Sequence, residues 1–419
     1  MVPLMGIDLE RIGSQAKDAA YELSLVSTED KNKVLLAMAD ALRSNTSEVL
    51  AANQRDLSGA TGLIKSFVDR LTLDEERIEK IAQGLEQVAQ LSDPLGNVTN
   101  GWINHAGLQI TQKRVPLGVV GIIYEARPNV TVDAAALCFK SGNAVILRGG
   151  KEAFNTNLKL VEVLQATLKE NGYSENTIQV LTDTSHEVAN KFMQLTGYLD
   201  VLIPRGGAKL IQTVVQNAKV PVIETGVGNC HIYVDKTADF EMAKKIIVNA
   251  KCQRPAVCNA AEKLLIHEDV ASKYLPGIIA ELKKYNVEIR ADQAALDILQ
   301  GSAIPATEED WDTEYNDYIL GVKVVSSVDE AIKHINQHGT KHSEAIVTND
   351  YKKSQQFLNQ IDAAAVYVNA STRFTDGFEY GFGAEIGIST QKLHARGPMG
   401  LEALTTTKYV VRGNGQIRE

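Results

Sequence analysis

The sequence predicts an α/β protein whose parallel sheets are covered by helices. From Gly118 onwards, short runs of Val, Ile and Leu alternate with helical segments. Continuous apolar strands separated by helices are typical of a parallel sheet that is buried on both faces. The 419 residues exceed what a single hydrophobic core normally organises, so two or three domains are expected. A composition of 44% hydrophobic and 23% charged residues is ordinary for a globular protein.

The chain begins with a region that is predicted to be helical up to about residue 92. Within it, residues 29–42 have the apolar period of an amphipathic helix, with Ser27 or Thr28 as the N-cap. Residues 102–115 then form two strand-like arms around Ala106-Gly107, a pattern that predicts a β-hairpin.

Two α/β blocks follow the hairpin. The strands predicted in the first block are 119–123, 144–147, 178–181, 201–203 and 220–223. The second block, from about 231 to 364, is predicted to contain helices at 239–250 and 329–337 and strands at 263–267, 318–325, 344–348 and 365–369. A last strand is expected at 408–411.

Two of the predicted strands end in the same way, with Arg-Gly-Gly followed by a helix. These connectors are Arg148-Gly149-Gly150 and Arg205-Gly206-Gly207. A helix that begins there directs backbone N–H groups at an anion, with a cation beside them. The alternative is that the glycine pairs only make tight turns. The chain has neither a Gly-x-Gly-x-x-Gly after its first parallel strand nor a P-loop, so a nucleotide site would be of another kind.

Cys258 lies on a short connector between a predicted helix, which Pro255 ends, and the strand 263–267. A thiol held there is exposed enough to attack a substrate and rigid enough to be aimed. Arg254 would favour the thiolate form. The alternative is a small, buried and inert residue, because free cysteine is often buried.

Several classes of protein are disfavoured by composition. The net charge is −9 and there is no basic tract, which argues against nucleic-acid binding. The four cysteines form neither a disulfide scaffold nor a pattern with zinc-ligand spacing, so a reducing, cytoplasmic setting and no metal are expected. The N-terminus lacks the pattern of a secretion signal. The best apolar run, 115–124, is too short to span a membrane.

Four segments together resemble one family over nearly the whole chain; they are 115–130, 141–152, 254–262 and 388–400. They include the strings Glu-Ala-Arg-Pro-Asn at 125–129 and His-Ala-Arg-Gly-Pro-Met-Gly at 394–400. In order and spacing the segments are similar to the γ-glutamyl phosphate reductase (glutamate-5-semialdehyde dehydrogenase) family of the aldehyde dehydrogenase superfamily. The two strings are distinctive of the reductases.

The resemblance implies an aldehyde-dehydrogenase-like fold with a parallel-sheet cofactor domain, an α/β catalytic domain and a β oligomerisation arm. It therefore also implies a homo-oligomer. The expected domains are a cofactor-binding domain of 1–101 and 119–231, a catalytic domain of 232–360, an arm of 102–118 and 372–419, and a return of 361–371 to the cofactor domain.

The resemblance also implies NADPH-dependent reduction of L-glutamyl 5-phosphate to the semialdehyde, through a thioester on Cys258. Such a reaction needs oxyanion donors, for which the candidates are the Cys258 backbone N–H and the Asn129 amide. Asn129 also reads as an N-cap or turn residue. Glu224 matches the glutamate that activates water in hydrolytic aldehyde dehydrogenases; in a reductase it would tune Cys258 or have no chemical role.

The remaining candidates concern the cofactor and the substrate. Arg148 and Lys151 would suit the 2′-phosphate of NADPH, unless they are a solvated pair on a loop. Gly206 and Gly207 match the turn near the pyrophosphate. Glu314 has the spacing of the glutamate that binds the nicotinamide ribose, or is one acid in an exposed run. For the carboxylate or phosphate of the substrate, the unranked candidates are Arg254 and Arg373.

Two other functions compete with this hypothesis. The first is a hydrolytic NAD(P)-dependent semialdehyde dehydrogenase that uses the same Cys258 with Glu224 as the base. The second is a non-enzymatic binding protein on the same fold, which the presence of Cys258, Asn129 and Glu224 disfavours. Because acyl phosphates are unstable, glutamate 5-kinase is a candidate partner that would hand over the substrate.

Overall fold

A computed structural model describes residues 7–60, 62 and 65–418. The chain forms two compact units. Unit 1 comprises the described residues of 1–224 with 381–387 and 399–418, and unit 2 comprises 225–380 and 388–398.

The first part of unit 1 is helical, as predicted. The side-chain oxygen of Ser27 accepts a hydrogen bond from the Asp30 N–H, so Ser27 is the N-cap of the second helix. Asp74 caps the fifth helix by accepting from the Arg77 N–H. The helices of this part are α1 (Leu9–Leu23), α2 (Thr28–Ser44), α3 (Thr46–Gly59), α4 (Lys65–Leu71) and α5 (Glu75–Gln90).

A parallel sheet of four strands forms the core of unit 1, in the order β5-β4-β3-β6. Its central strand β3 is buried along its whole length, because helices cover both faces. The strands are β3 (Val119–Tyr124), β4 (Ala144–Arg148), β5 (Ile178–Val180) and β6 (Val201–Arg205). The helices that connect or follow them are α6 (Pro128–Lys140), α7 (Phe154–Glu170), α8 (His186–Met193) and α9 (Ala208–Asn217).

The fifth strand predicted for this block, at 220–223, is not formed. Val222 makes only an isolated parallel bridge to Leu202. The Pro221 carbonyl oxygen accepts from the Leu202 N–H, and the Ile223 N–H donates to the Leu202 carbonyl. Proline has no N–H of its own, so it cannot extend the ladder.

A separate antiparallel sheet in unit 1 joins the predicted hairpin to the C-terminus. β1 (Val98–Ile103) pairs with β2 (Gln109–Pro116), and the turn contains Gly107 with φ +80°. β16 (Thr405–Arg412) pairs with the other edge of β2 over eight residues. The hairpin and the last strand are therefore confirmed.

Unit 2 is built on a parallel sheet of seven strands in the order β10-β9-β11-β8-β7-β12-β13. The strands are β7 (Cys230–Val234), β8 (Ala261–His267), β9 (Glu288–Ala291), β10 (Ile304–Pro305), β11 (Ile319–Val325), β12 (Ser343–Val347) and β13 (Ala365–Val368). Its helices are α10 (Phe240–Cys252), α11 (Glu268–Lys283), α12 (Gln293–Leu299), α13 (Glu308–Asp312), α14 (Val328–His338) and α15 (Tyr351–Gln360). A small antiparallel pair, β14 (Ile388–Ser389) and β15 (Gly397–Pro398), also belongs to unit 2.

The unit boundaries differ from the expected domain boundaries in three places. Unit 2 begins at Thr225 rather than after 231, because β7 pairs with β8 and β12. Residues 361–371 lie in unit 2 and do not return to the cofactor domain, because β13 pairs with β12. Of the expected arm at 372–419, residues 372–380 and 388–398 also lie in unit 2.

Candidate active site

Cys258 lies on a tight turn between α10 and β8, where the sequence predicts a connector. The Ala260 N–H donates to the Val257 carbonyl oxygen at 3.0 Å, which leaves Cys258 and Asn259 at the centre of the turn. Cys258 is partly exposed, whereas the other three cysteines are buried, and none of the four forms a disulfide. The turn therefore presents a thiol on a rigid support.

Asn259, the next residue, attaches this turn to residues 372–375. Its side-chain amide donates to the Thr375 carbonyl oxygen at 2.9 Å, and Thr372 Oγ1 donates to the Asn259 carbonyl at 2.7 Å. Arg373 donates from Nη1 to Asn259 Oδ1, and from Nε to Gln253 Oε1 at 3.1 Å. The Arg373 guanidinium is thus fixed beside the residue that follows Cys258.

The surroundings of Cys258 are positively charged. Partial burial and the nearby positive charge of Arg254 lower the pKa of Arg373, and Cys258 acts in the opposite direction. Among the described residues, neither Arg254 nor Arg373 forms an ion pair with a carboxylate. Two guanidinium groups in this region attract an anionic substrate.

Gly228 and Cys230 support the turn from behind. Cys230 Sγ donates to the Cys258 carbonyl oxygen at 3.2 Å. The Gly228 Cα packs so closely on the same carbonyl group that any Cβ would collide with it. The Gly228 N–H donates to Glu314 Oε1 at 2.7 Å. The structure therefore brings Glu314 to the loops around Cys258, where it is partly buried rather than part of a solvated surface run.

Asn129 and Glu224 belong to unit 1. Asn129 lies in the first turn of α6, after Arg127 as N-cap and Pro128, so it is not the N-cap itself. Its amide Nδ2 donates to Asp133 Oδ2 at 3.0 Å, and burial raises the pKa of Asp133 to about 6. Glu224 follows the bridge at Val222 and is partly buried.

The first Arg-Gly-Gly connector ends β4. Arg148 Nη2 donates to the Thr184 carbonyl oxygen at 2.6 Å, whereas its buried Nε has no hydrogen-bond partner among the described residues. Burial lowers the pKa of Arg148. Lys151 is exposed at the start of a short 3₁₀ turn. A Cβ at Gly149 would collide with the amide of Asn157, so the backbone approaches α7 closely there.

The second connector, between β6 and α9, holds a carboxylate. The Gly207 N–H donates to Glu125 Oε1 at 3.1 Å, and a Cβ at Gly206 would lie 2.7 Å from Glu125 Cδ. Glu125 thus occupies the N-terminus of α9, at the turn that the family resemblance places near a pyrophosphate. The glycine backbones and the unpartnered Arg148 Nε fit the phosphates of a dinucleotide, and Glu125 shows that this end of α9 accepts an anion.

Several residues around these loops were missed by the sequence analysis. They are Glu125, Gly228, Asn229 and Lys263. Lys263 carries a detectable signal, because it is a charged residue in a strand whose seven residues are all buried. Glu125 lies in a family motif, but no local pattern indicates that its carboxylate reaches a glycine 82 residues further along the chain.

The described part of the chain was also considered for metal and membrane binding. In it, no three His, Cys, Asp or Glu side chains converge closely enough to hold a metal ion. No helix there combines the length and apolar character that crossing a bilayer requires.

The chain is similar to known proteins over almost its full length. The model of the aldehyde dehydrogenase family matches residues 6–315 and 302–410. A gamma-glutamyl phosphate reductase of Ligilactobacillus salivarius is 64% identical, covering 99% of this chain and 100% of that protein. One from Enterococcus faecalis is 63% identical, with coverage of 98% and 99%. The crystal structure of the Thermotoga maritima gamma-glutamyl phosphate reductase has a TM-score of 0.96 at 48% identity, covering 99% and 100% of the two chains. The chain therefore belongs to the aldehyde dehydrogenase family and, within it, to the gamma-glutamyl phosphate reductases.

Proposed function

We propose that this protein reduces L-glutamyl 5-phosphate to L-glutamate 5-semialdehyde, with NADPH as reductant and release of phosphate, as a step of proline biosynthesis. One observation carries the proposal: a partly exposed thiol, Cys258, lies on a rigid turn and interacts electrostatically with the Arg373 guanidinium, which also has Arg254 near it. An acyl phosphate is both anionic and reactive toward a thiolate, so this arrangement suits it.

In the first half of the reaction, the Cys258 thiolate attacks the acyl carbon. A sulfur–carbon bond forms, the carbon–oxygen bond to phosphate breaks, and inorganic phosphate leaves. Arg254 and Arg373 would hold the phosphate or the carboxylate of the substrate and stabilise the negative charge of the leaving group. The Cys258 N–H and the Asn129 amide are the proposed donors to the oxyanion; Asn129 Nδ2 carries two N–H groups, one of which donates to Asp133.

The aldehyde dehydrogenase fold implies a nicotinamide cofactor. When bound, NADPH supplies the hydride that reduces the thioester, and collapse of the resulting thiohemiacetal releases the aldehyde and restores the thiolate. Arg148 and Lys151 would bind its 2′-phosphate, because a guanidinium and an ammonium together suit that dianion. Gly206 and Gly207 would bind the pyrophosphate in place of the Glu125 carboxylate. Glu314, which Gly228 positions, would bind the nicotinamide ribose.

The hydrolytic dehydrogenase is the second candidate. It would use the same Cys258 thioester but would resolve it with water, with Glu224 as the base. In the reductase, Glu224 must leave the thioester intact until hydride transfer, so its role would be to tune Cys258 or to hold the local structure.

The reverse reaction separates the two candidates. NADP⁺ reduction by glutamate 5-semialdehyde is measured with and without inorganic phosphate. A reductase run backwards needs phosphate to release the acyl group, so activity should depend on phosphate and should saturate with it. Equal rates without phosphate would show that water resolves the thioester, and would overturn the proposal in favour of hydrolysis.

We also propose a homo-oligomer that works in a reducing cytoplasm, with glutamate 5-kinase as the partner that delivers the substrate. Trp102 packs edge-on against Tyr409 on the three-stranded sheet, and both rings are exposed, as is Val411 on the same face. An exposed apolar sheet face of this kind marks an association surface. Light scattering of the wild-type protein and of the Val411→Lys variant tests the oligomer, which the charge should disrupt.

A further inference from the structure

Lys263 is a fully buried lysine that forms no ion pair among the described residues. Its ammonium donates to Asn229 Oδ1 at 2.8 Å and to the Thr313 carbonyl oxygen at 2.7 Å, and it lies 4.4 Å from the centre of the Tyr315 ring. Burying a charge with only neutral partners costs free energy. An apolar side chain would suit a core strand better, so the role of Lys263 lies in the residues that it connects.

The two acceptors of Lys263 belong to the two loops that support Cys258. Asn229 follows Gly228, whose Cα packs on the Cys258 carbonyl. Thr313 precedes Glu314, whose carboxylate accepts from the Gly228 N–H at 2.7 Å. The contacts therefore close a ring that runs from Lys263 through Asn229, Gly228, Glu314 and Thr313 back to Lys263. We refer to these five residues as the Lys263 ring.

Further contacts hold both Asn229 and the Lys263 side chain of the Lys263 ring in place. Asn229 Nδ2 donates to the Trp311 carbonyl at 2.7 Å and to the His338 carbonyl at 2.9 Å, so its Oδ1 must point toward Lys263. The lysine stem lies on Gly321 of the neighbouring strand β11, where a Cβ would come within 2.7 Å of Lys263 Cδ. Neither end of the hydrogen-bonded chain is therefore free to rotate.

We propose that Lys263 is a positioning residue of the reductase. By holding Asn229 and Thr313 at a set separation, its ammonium fixes Gly228 beneath the nucleophile turn and keeps Glu314 in place for the cofactor. The part concerning Glu314 rests on the proposed function, whereas the part concerning Cys258 rests on the packing of Gly228 alone.

A second buried lysine provides a matched control. Lys251 is also fully buried and lies on α10, near the same end of β8, but it pairs with Glu262 at 3.1 Å. Glu262 accepts from the Asn316 N–H, and neither residue belongs to the Lys263 ring. Replacing Lys251 removes an equally buried charge but none of the hydrogen bonds of the Lys263 ring, although Glu262 also interacts electrostatically with Lys263.

The experiment compares Lys263→Met with Lys251→Met in the full chain. Three quantities are measured: the unfolding midpoint, kcat and the KM for NADP⁺ with glutamate 5-semialdehyde and phosphate, and the rate at which iodoacetamide alkylates Cys258. Misplacement of reacting groups by about 1 Å lowers the reaction rate on the order of 100-fold. Lys263→Met should therefore raise the KM and lower kcat by about tenfold each. Lys251→Met should lose stability with both constants within about twofold of wild type.

Two further measurements keep the outcome decisive. Lys263→Arg retains the charge and can donate to both acceptors. It should keep the unfolding midpoint of the wild type and raise the KM for NADP⁺ by a smaller factor than Lys263→Met. It replaces Lys263→Met in the comparison if that variant does not fold. Alkylation needs no turnover, so a changed rate in Lys263→Met, but not in Lys251→Met, supports the inference even if the wild type fails to reduce NADP⁺. Identical kinetics and alkylation in the Lys263 variants and wild type would overturn it.

Discussion

The carboxylate of Glu125 accepts a hydrogen bond from the backbone N–H of Gly207, with an N···O distance of 3.1 Å. The N-terminus of a helix favours negative charge, since its first N–H groups have no partners within the helix. In this chain an internal carboxylate takes the position that the family resemblance assigns to a pyrophosphate. On the proposed function, cofactor binding would replace this carboxylate with a phosphate anion.

Glu125→Gln should tighten NADPH binding. The amide oxygen can still accept from Gly207, but the competing negative charge is gone, and charges at a helix N-terminus contribute about 0.3–2 kcal/mol. We expect the dissociation constant to fall by about threefold to tenfold, most strongly at low ionic strength. Fluorescence titration at two salt concentrations measures it. The control is Glu187→Gln, a surface change on α8. Weaker NADPH binding by Glu125→Gln would contradict competition between the Glu125 carboxylate and the cofactor phosphates.

Arg148→Ala should reduce the preference for NADPH over NADH. The guanidinium is held by the Thr184 carbonyl, and its buried Nε has no partner among the described residues. Losing a charge-assisted contact to the 2′-phosphate removes about 1.5–3 kcal/mol, so the KM for NADPH should rise by at least about tenfold while that for NADH hardly changes. Kinetics with the two cofactors test this. A parallel rise in both KM values would place Arg148 in the structure of the loop rather than at the 2′-phosphate.

Cys258→Ala should abolish turnover and leave the fold intact. The thiol is partly exposed on a turn that backbone contacts and Asn259 hold, so its removal creates no large cavity. Loss of a catalytic nucleophile typically lowers kcat by at least about 1,000-fold. The control is Cys252→Ala, which removes a buried thiol six residues away and should cost only stability. Stopped assays together with circular dichroism separate these effects, and normal activity in Cys258→Ala would exclude the thioester.

The stability of the protein should depend on Lys263 above neutral pH. Burial lowers the pKa of Lys263 from 10.5 to about 8. Between about pH 8 and 10.5, Lys263 is therefore mostly protonated in the unfolded chain and mostly neutral in the folded protein. Stability rises with pH wherever the unfolded state binds more protons, so wild type should gain up to about 3 kcal/mol over Lys263→Met across this range. Urea unfolding at several pH values measures the difference, and a constant difference would contradict the lowered pKa. The titratable groups facing Lys263 in both proteins are Glu262, Lys251, Asp310, Cys230, His231, His334 and Glu344.

Periodic elements of the fold were predictable from the sequence. The buried strands β3 and β4 show as continuous apolar runs, and α2 shows a helical period with Ser27 as its cap. The strand predicted at 220–223 was wrong. Its apolar residues suggest a strand, but Pro221 interrupts the hydrogen bonding. The assignment of 361–371 depended on the analogy alone, and the pairing of β13 with β12 is a long-range property that no local pattern encodes.

The candidate site divides in the same way. The position of Cys258 on a connector follows from Pro255, which ends the predicted helix, and from the apolar run 263–267, which forms the next strand. The spacing of Glu314 came from the resemblance, and the structure adds the Gly228 N–H that holds it. The Lys263 ring could not be predicted, because it joins strand β8 to two loops from distant parts of the chain through tertiary hydrogen bonds.

The pairing of β16 with β2 has a consequence for how the protein is made. A ribosome completes α1–α9, β1 and β2 long before it reaches residue 405, so β2 must wait with one edge open while all of unit 2 is synthesised. An open edge strand is a site for pairing with other chains. Transcripts that end early, or proteolysis before β16, would leave unit 1 prone to aggregate even though most of its core is present. Protection of this edge of β2 therefore depends on β16.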